Sequence, residues 1–171
     1  MKTVYKTIQQ SEIVSFDIFD TLVKRMVPKP SDVFELISRY SDKSIDLKQI
    51  RIQAEKAARQ VSHSEEITIE EIYDYFPPNF TSEEKMKLIE MERETEISIC
   101  VPKKEVKEIY DYAVSEKKRI IITSDMYLDR KTVESILKKC GYKNYESLYL
   151  SSELKKTKRS GSLFKYILKK I

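Results

Sequence analysis

The sequence contains few of the residues that bend or cross-link a chain: 171 residues include two glycines, five prolines and two cysteines. So little Gly and Pro leaves few sharp turns and favours helices with short connections. Cys100 and Cys140 lie far apart without metal-site spacing, which indicates reduced, partly buried thiols. No run approaches the ~20 apolar residues of a membrane helix, and residues 1–10 lack the apolar core of a signal peptide. We therefore expect a cytoplasmic, soluble protein with no membrane partner.

Charge and composition also narrow the class of protein. Hydrophobic residues make up 40% and charged residues 35% of the chain, which is enough apolar content for a core and argues against global disorder. The formal net charge is only +4, a mild excess that gives no indication of nucleic-acid binding. The lysine-rich stretch 155–170 lacks alternating aromatic residues, so we predict a solvated helix face and no nucleic-acid partner.

The hydrophobic pattern predicts an α/β fold with a parallel sheet. Three short apolar runs do not alternate with polar residues, which is typical of strands covered on both faces. Amphipathic helices are predicted over 103–117 and 130–140, and Gly141 suits the left-handed position that ends the second one. The predicted strands are Ile13–Phe16, Ile120–Thr123 and Ser147–Leu150.

The end of the first predicted strand carries a candidate site. Asp17 follows a buried strand, where a charge is costly unless it is bound, paired or chemically used. Ligands of parallel α/β sheets lie beyond the carboxyl ends of the strands. Asp17 is therefore a candidate nucleophile, or else a helix cap or the partner of a lysine. Asp20 is either an acid–base group or a local turn residue, and Thr21 either orients Asp17 or caps the next element.

Polar residues gather in three segments, one at or after the end of each predicted strand: Ser15–Leu22, Thr123–Leu128 and Ser151–Phe164. These segments resemble the first three motifs of the haloacid-dehalogenase (HAD) superfamily. The resemblance is greatest to a subgroup of bacterial polysaccharide biosynthesis that is often fused to glycosyltransferases. It implies a three-layer, Rossmann-like core with an inserted helical cap. It also implies a hydrolase, specifically a phosphatase that acts on a small phosphorylated metabolite through an aspartyl-phosphate intermediate.

The resemblance assigns a role to each residue of these motifs. Asp17 is the nucleophile, and Lys158 neutralises charge on the nucleophile and the phosphoryl group. Asp20 lies one residue after the position of the family's general acid and base, so it is a candidate for that role only from its own place in the turn. Ser124 is favoured over Thr123 as the hydroxyl of the second motif, unless these residues only start the next helix. The residues implied to bind phosphate are Thr21, Thr123, Ser124 and Asp125.

Two departures from the family pattern put the reaction in question. Phe19 stands where phosphatases of the family carry a second Asp, and no Gly-Asp or Asp-Asp pair forms the fourth motif. The family implies Mg²⁺, for which this chain offers Asp17 and the backbone carbonyl of Phe19. We expect a truncated core with impaired activity. The alternatives are a non-catalytic binding module and a metal-independent, dehalogenase-like hydrolase.

Residues 28–100 contain helix signals and no convincing strand. This block resembles the HAD helical cap, so we predict a core of residues 1–27 and 101–171 and a cap of residues 28–100. Predicted N-caps are Ser31 for a helix over Asp32–Tyr40, Asp46 for a helix through Gln60, Thr68 with Glu71, and Thr81 with Glu84.

Two further patterns leave alternatives open. Arg51, Glu55 and Arg59 share one helix face, either as a substrate-facing set or, in the favoured interpretation, as intrahelical ion pairs. Without a fourth strand beside it, the first strand would be an exposed apolar edge. We predict that Thr3–Ile8 or a second copy of the chain covers this edge, the latter as a homodimer.

Overall fold

Three strands form the parallel sheet of a computed structural model that describes residues 2–38 and 46–171. Strand order is β1-β4-β5, which confirms the α/β class and the three predicted strands. Asp17 lies opposite Thr123, and Thr123 lies opposite Tyr149, so the carboxyl ends of all three strands meet at one edge. The strands of the protein are β1 (Ile13–Asp17), β2 (Val23–Arg25), β3 (Cys100–Pro102), β4 (Arg119–Ser124) and β5 (Ser147–Leu150).

Helices cover both faces of the sheet. None of those in the described ranges is long and apolar enough to cross a membrane. After a short 3-10 turn over Pro30–Asp32, the chain between β1 and β4 is largely helical. The α-helices are α1 (Lys2–Gln10), α2 (Val33–Ser38), α3 (Leu47–Val61), α4 (Ile69–Asp74), α5 (Ser82–Ile99), α6 (Lys104–Ser115), α7 (Arg130–Lys139), α8 (Ser151–Leu154) and α9 (Ser162–Ile167).

The central strand β4 explains why the apolar runs do not alternate with polar residues. Ile120 and Ile122 point into the main hydrophobic cluster, while Ile121 points to the opposite face and packs with Leu163 and Ile167 of α9. Successive side chains of a strand alternate between faces, and here both faces are covered. The result is the three-layer arrangement that the sequence predicts.

Most predicted helix starts are confirmed. Asp46, Thr68 and Thr81 accept backbone N–H groups as N-caps, the last two within capping boxes. Ser31 is wrong as a cap: the 3-10 turn begins two residues before the predicted start at Asp32, because Pro30 suits the first helical position, and the Lys29 N–H donates to Asp32 (2.9 Å). The predicted helix end at Tyr40 lies outside the described residues.

Thr68→Ala should lower the free energy of unfolding by about 1 kcal/mol, because the Thr68 hydroxyl accepts the Glu71 N–H at 3.2 Å. Urea unfolding measures the change. Thr95→Ala within α5 is the matched control, and we expect it to be neutral or slightly stabilising. Equal effects of the two substitutions would contradict the capping role.

A two-stranded sheet was not predicted from the sequence. β2 pairs antiparallel with β3, where the chain leaves and re-enters the part that carries the parallel sheet. Each strand has three residues, too few to show a period. The predicted cap boundaries at residues 28 and 100 stay a prediction.

The free edge of β1 is not paired with the N-terminal segment. Thr3–Ile8 lies within α1, which packs on α6, and the rings of Tyr5 and Tyr112 meet edge to face at 4.8 Å. The segment adds no strand to the β1 edge, and its Ile8 packs into the main hydrophobic cluster. Coverage of the edge by Thr3–Ile8 stays a prediction. Pairing of β1 with a second copy stays a prediction.

Candidate active site

Asp17 lies at the carboxyl edge of the sheet between two partners. The Lys158 ammonium forms a hydrogen-bonded ion pair with Asp17 Oδ1, and the Thr21 hydroxyl donates to Asp17 Oδ2 at 3.0 Å. The Asp17 side chain is still 37% exposed, so a ligand can reach it. The structure thus brings together three predicted site residues from the first and third motifs.

A tight turn after β1 returns Thr21 to Asp17. Ile18 anchors it, since its carbonyl accepts the N–H groups of Thr21 (3.3 Å) and Val23 (2.9 Å) while its side chain is buried. Asp20 takes the left-handed conformation (φ 59°), which Asp tolerates better than most residues. Its side chain is exposed and its carbonyl accepts the Lys103 ammonium at 2.9 Å. This geometry is compatible with a turn residue and with an acid that faces solvent.

Asp125 holds the loop that presents Lys158. Its carboxylate accepts the Lys158 N–H at 2.8 and 2.9 Å and the Arg159 N–H at 3.3 Å. The contacts of this side chain are therefore with the loop, and a carboxylate repels phosphate. Any phosphate binding at this position would come from backbone N–H groups.

Thr123 and Ser124 are both buried at the end of β4. Adjacent strand residues point to opposite faces, so their hydroxyls do not share one position. The following loop is fixed by two serines that sequence reasoning missed. Ser151 accepts the Met126 N–H at 2.8 Å, and the Ser152 hydroxyl donates to the Leu128 carbonyl at 2.9 Å. The choice between Thr123 and Ser124 stays a prediction.

A cavity of about 740 Å³ opens beside this edge, between α3, the 3-10 turn and the loop after β4. Asp125 lines the cavity and also holds the Lys158 backbone, so the cavity and the Asp17–Lys158 pair are neighbours. The other lining residues include Phe19, Arg25, Phe34, Ile52, Lys56, Arg59, Glu96 and Tyr127.

Phe19 packs against a buried ion pair at the cavity wall. The Arg25 guanidinium lies 4.2 Å from the centre of the Phe19 ring and donates to Glu96 at 2.8 and 3.1 Å. Burial raises the pKa of the Glu96 carboxyl, although Arg25 opposes the shift. This pair was not predicted.

The row of charges on α3 is divided between two roles. Arg51 is fully buried and donates to Glu92 at 2.8 Å twice, while Glu55 accepts from both Arg51 (3.0 Å) and Arg59 (2.9 Å). The intrahelical ion pairs are therefore present. Glu55 and Arg59 also line the cavity, whereas Arg51 belongs to the interior.

The residues available for Mg²⁺ do not form a site by themselves. No group of three or more His, Cys, Asp or Glu side chains within the described ranges is placed to hold a metal. Both Asp17 oxygens are engaged by Lys158 and Thr21, and Mg²⁺ prefers about six oxygen ligands. Asp17 and the Phe19 carbonyl, the predicted ligands, would supply two of these oxygens, and water and a substrate phosphate would have to supply the rest.

No protein-family model and no curated protein matches the sequence, but solved structures match the fold. A candidate beta-phosphoglucomutase from Thermotoga maritima is 11% identical with a TM-score of 0.52, over 86% of this chain and 64% of that one. A candidate haloacid dehalogenase-like hydrolase from Bacteroides fragilis is 14% identical (TM-score 0.42, 83% and 63%). A hydrolase from Streptococcus pneumoniae is 17% identical (TM-score 0.40, 85% and 70%). The chain thus spans 64% of the length of the Thermotoga protein, whose similarity concerns the fold alone.

Proposed function

We propose that this chain carries the nucleophile of a phosphatase for small phosphorylated metabolites. Its fold is similar to that of a candidate beta-phosphoglucomutase, and its motifs resemble those of the haloacid-dehalogenase superfamily. The observation that supports this most is the Asp17 carboxylate, placed at the carboxyl edge of the sheet between the Lys158 ammonium and the Thr21 hydroxyl. A carboxylate that is accessible, held in one orientation and paired with a cation is suited to act as the nucleophile of covalent phosphoryl transfer.

In the proposed reaction, an Asp17 oxygen attacks phosphorus and the bond from phosphorus to the leaving oxygen breaks. Lys158 neutralises the charge on the phosphoryl oxygens, and the leaving oxygen takes a proton from an acid, for which Asp20 is the candidate. Water then attacks the phosphorus of the aspartyl-phosphate and returns a proton to the deprotonated acid. This step releases inorganic phosphate and regenerates the Asp17 carboxylate.

The adjoining cavity has room for a small organic leaving group. Its wall combines aromatic surface from Phe19, Phe34 and Tyr127 with both signs of charge. The charged lining residues are Arg25, Lys56, Arg59, Glu55, Glu96 and Asp125. Such a mixture suits a metabolite that has an apolar face and several polar groups. The identity of the substrate depends on these side chains.

Asp20→Asn should lower kcat by about 100-fold or more if Asp20 is the acid, since positioned proton donors contribute ~10²–10⁴-fold. Asn also tolerates the left-handed conformation (φ 59°), so the turn should stay intact. Steady-state kinetics on p-nitrophenyl phosphate and an alkyl phosphate measure the effect, which should be greater for the poorer leaving group. Asp111→Asn, on the exposed side of α6, is the control. An unchanged kcat would assign Asp20 to the turn alone.

The proposed function is tested by phosphate release from a panel of sugar phosphates and nucleotides, each with Mg²⁺ or with EDTA. We expect release that is lost in Asp17→Asn. Ligand binding without turnover would favour the non-catalytic module. Halide release from a 2-haloacid in EDTA, again lost in Asp17→Asn, would favour the dehalogenase.

A further inference from the structure

A second polar cluster joins the connection between α3 and α4 to the loop that carries Lys158. One oxygen, Glu65 Oε2, lies within hydrogen-bond distance of the Thr157 N–H (2.8 Å) and the hydroxyls of Ser160 (2.6 Å) and Ser162 (2.5 Å). The Thr157 hydroxyl is 3.2 Å from the same oxygen. Residues far apart in the chain therefore meet on a single carboxylate.

These donors keep Glu65 ionised. Hydrogen bonds from Ser160, Ser162 and the Thr157 backbone lower the pKa of the Glu65 carboxyl to about 2. Glu65 is thus a charged acceptor throughout the pH range of an ordinary assay, and charge-assisted hydrogen bonds are stronger than neutral ones.

Three neighbouring contacts join the α3–α4 connection and the start of α4 to Ser151 and Lys155, which precede the Lys158 loop. The Ser151 hydroxyl is 3.1 Å from Glu66 Oε2, and the Lys155 ammonium donates to Glu71 at 2.9 Å. The Lys155 ammonium also reaches the Glu66 carbonyl at 3.2 Å. Glu65 is the member of this set that contacts both ends of the turn around Lys158.

The Lys158 loop is therefore held from two sides. Asp125 binds the backbone N–H of Lys158 itself, and Glu65 binds the preceding Thr157 and the following Ser160 and Ser162. Within the loop, the Gly161 N–H donates to the Lys158 carbonyl at 2.9 Å and the Leu163 N–H donates to the Thr157 carbonyl at 3.1 Å. Without Glu65, the loop would keep these backbone bonds and Asp125, but it would lose the carboxylate that joins it to the α3–α4 connection.

We infer that Glu65 is a positioning residue. Its carboxylate joins the α3–α4 connection to the Lys158 loop and thereby holds Lys158 next to Asp17. The inference rests on the proposed function, because it gives Lys158 its role in neutralising charge. Through Glu65, the position of Lys158 beside Asp17 depends on the packing of the helical block that lines the cavity. Glu65 itself needs no contact with the substrate.

The first test does not depend on turnover. The full chain and its variants are treated with a limiting amount of an amine-reactive reagent, and mass spectrometry gives the labelling rate of Lys158 relative to exposed Lys87. We expect several-fold faster labelling of Lys158 in Glu65→Ala and an intermediate rate in Glu65→Gln, which keeps an acceptor oxygen. Glu83→Gln, an exposed change in the first turn of α5, should match the parent. Unchanged labelling in Glu65→Ala overturns the inference.

The second test uses kinetics on p-nitrophenyl phosphate. Misplacement of a reacting group by about 1 Å costs about 100-fold, so kcat should fall towards that extent in Glu65→Ala while KM changes little. The double variant Ser160→Ala, Ser162→Ala should reproduce the effect without touching Glu65. An active parent whose kcat is unaffected by these changes overturns the inference.

If the parent shows no phosphatase activity, the proposed function fails and the labelling alone decides whether Glu65 positions Lys158. If Glu65→Ala unfolds in a thermal scan, Glu65→Gln and the double variant give both readouts.

Discussion

Lys158→Ala is expected to lower kcat for phosphate-ester hydrolysis by about 100- to 1000-fold, the cost of removing one preorganised group that stabilises developing charge. Lys158 is the cation paired with the Asp17 carboxylate, and its side chain is only 23% exposed. Removing it leaves the attacking carboxylate and the phosphoryl oxygens to repel each other. KM should rise as well, because the same charge attracts the substrate phosphate.

Lys156→Ala is the matched control, since it removes a lysine from the same loop without removing the partner of Asp17. Both variants are measured at saturating substrate, and circular dichroism checks that each is folded. Lys158→Arg should recover part of the activity, because it keeps the charge but changes the reach of the side chain. Equal kcat values for the two alanine variants would refute the role given to Lys158.

Arg51→Met should lower the free energy of unfolding by about 3–5 kcal/mol, the usual cost of removing one partner of a buried ion pair. Arg51 and Glu92 are both completely buried, and the Tyr73 hydroxyl donates to Glu92 at 2.8 Å. The Arg51 guanidinium also lies 4.7 Å from the centre of the Phe34 ring and 4.9 Å from that of Tyr127. The substitution would leave the Glu92 charge without its cation inside the helical block.

Two comparisons make this result specific. The double variant Arg51→Met, Glu92→Leu should be more stable than Arg51→Met, because apolar replacement of a whole buried pair is often tolerated. Arg119→Met breaks the Arg119–Glu146 pair, whose side chains are 40% and 43% exposed, and should leave the free energy of unfolding nearly unchanged. Urea unfolding measures all three. A similar small loss for Arg51→Met and Arg119→Met would contradict the interior role of Arg51.

Local signals account for the features that the sequence predicted well. The strand that ends in Asp17, the hydroxyl pair at the end of β4 and the capping boxes of α4 and α5 are each contained within a few residues. Among the neighbouring lysines, Lys158 was preferred as the lysine of the third motif because it lies shortly before Ser160-Gly161 and the apolar Leu163-Phe164. The structure puts Lys158 on Asp17, although the catalytic role of the pair stays a proposal.

The features that sequence reasoning missed depend on contacts between distant residues. Glu65 and Thr157 are 92 residues apart, and Arg25 and Glu96 are 71 apart. Neither pair shows a spacing or period in the sequence, because nothing local requires either residue. The two residues of each pair come into contact only when the chain is folded, with the helical block packed against the part that carries the sheet.

The central claim is that Asp17 becomes phosphorylated during turnover. The most direct measurement is mass spectrometry of the acid-quenched protein after incubation with acetyl phosphate or p-nitrophenyl phosphate, followed by peptide mapping and borohydride reduction. The account predicts one phosphoryl group on Asp17, its conversion to homoserine by borohydride, and no modification in Asp17→Asn. Turnover with an unmodified Asp17, or equal turnover by Asp17→Asn, would contradict it.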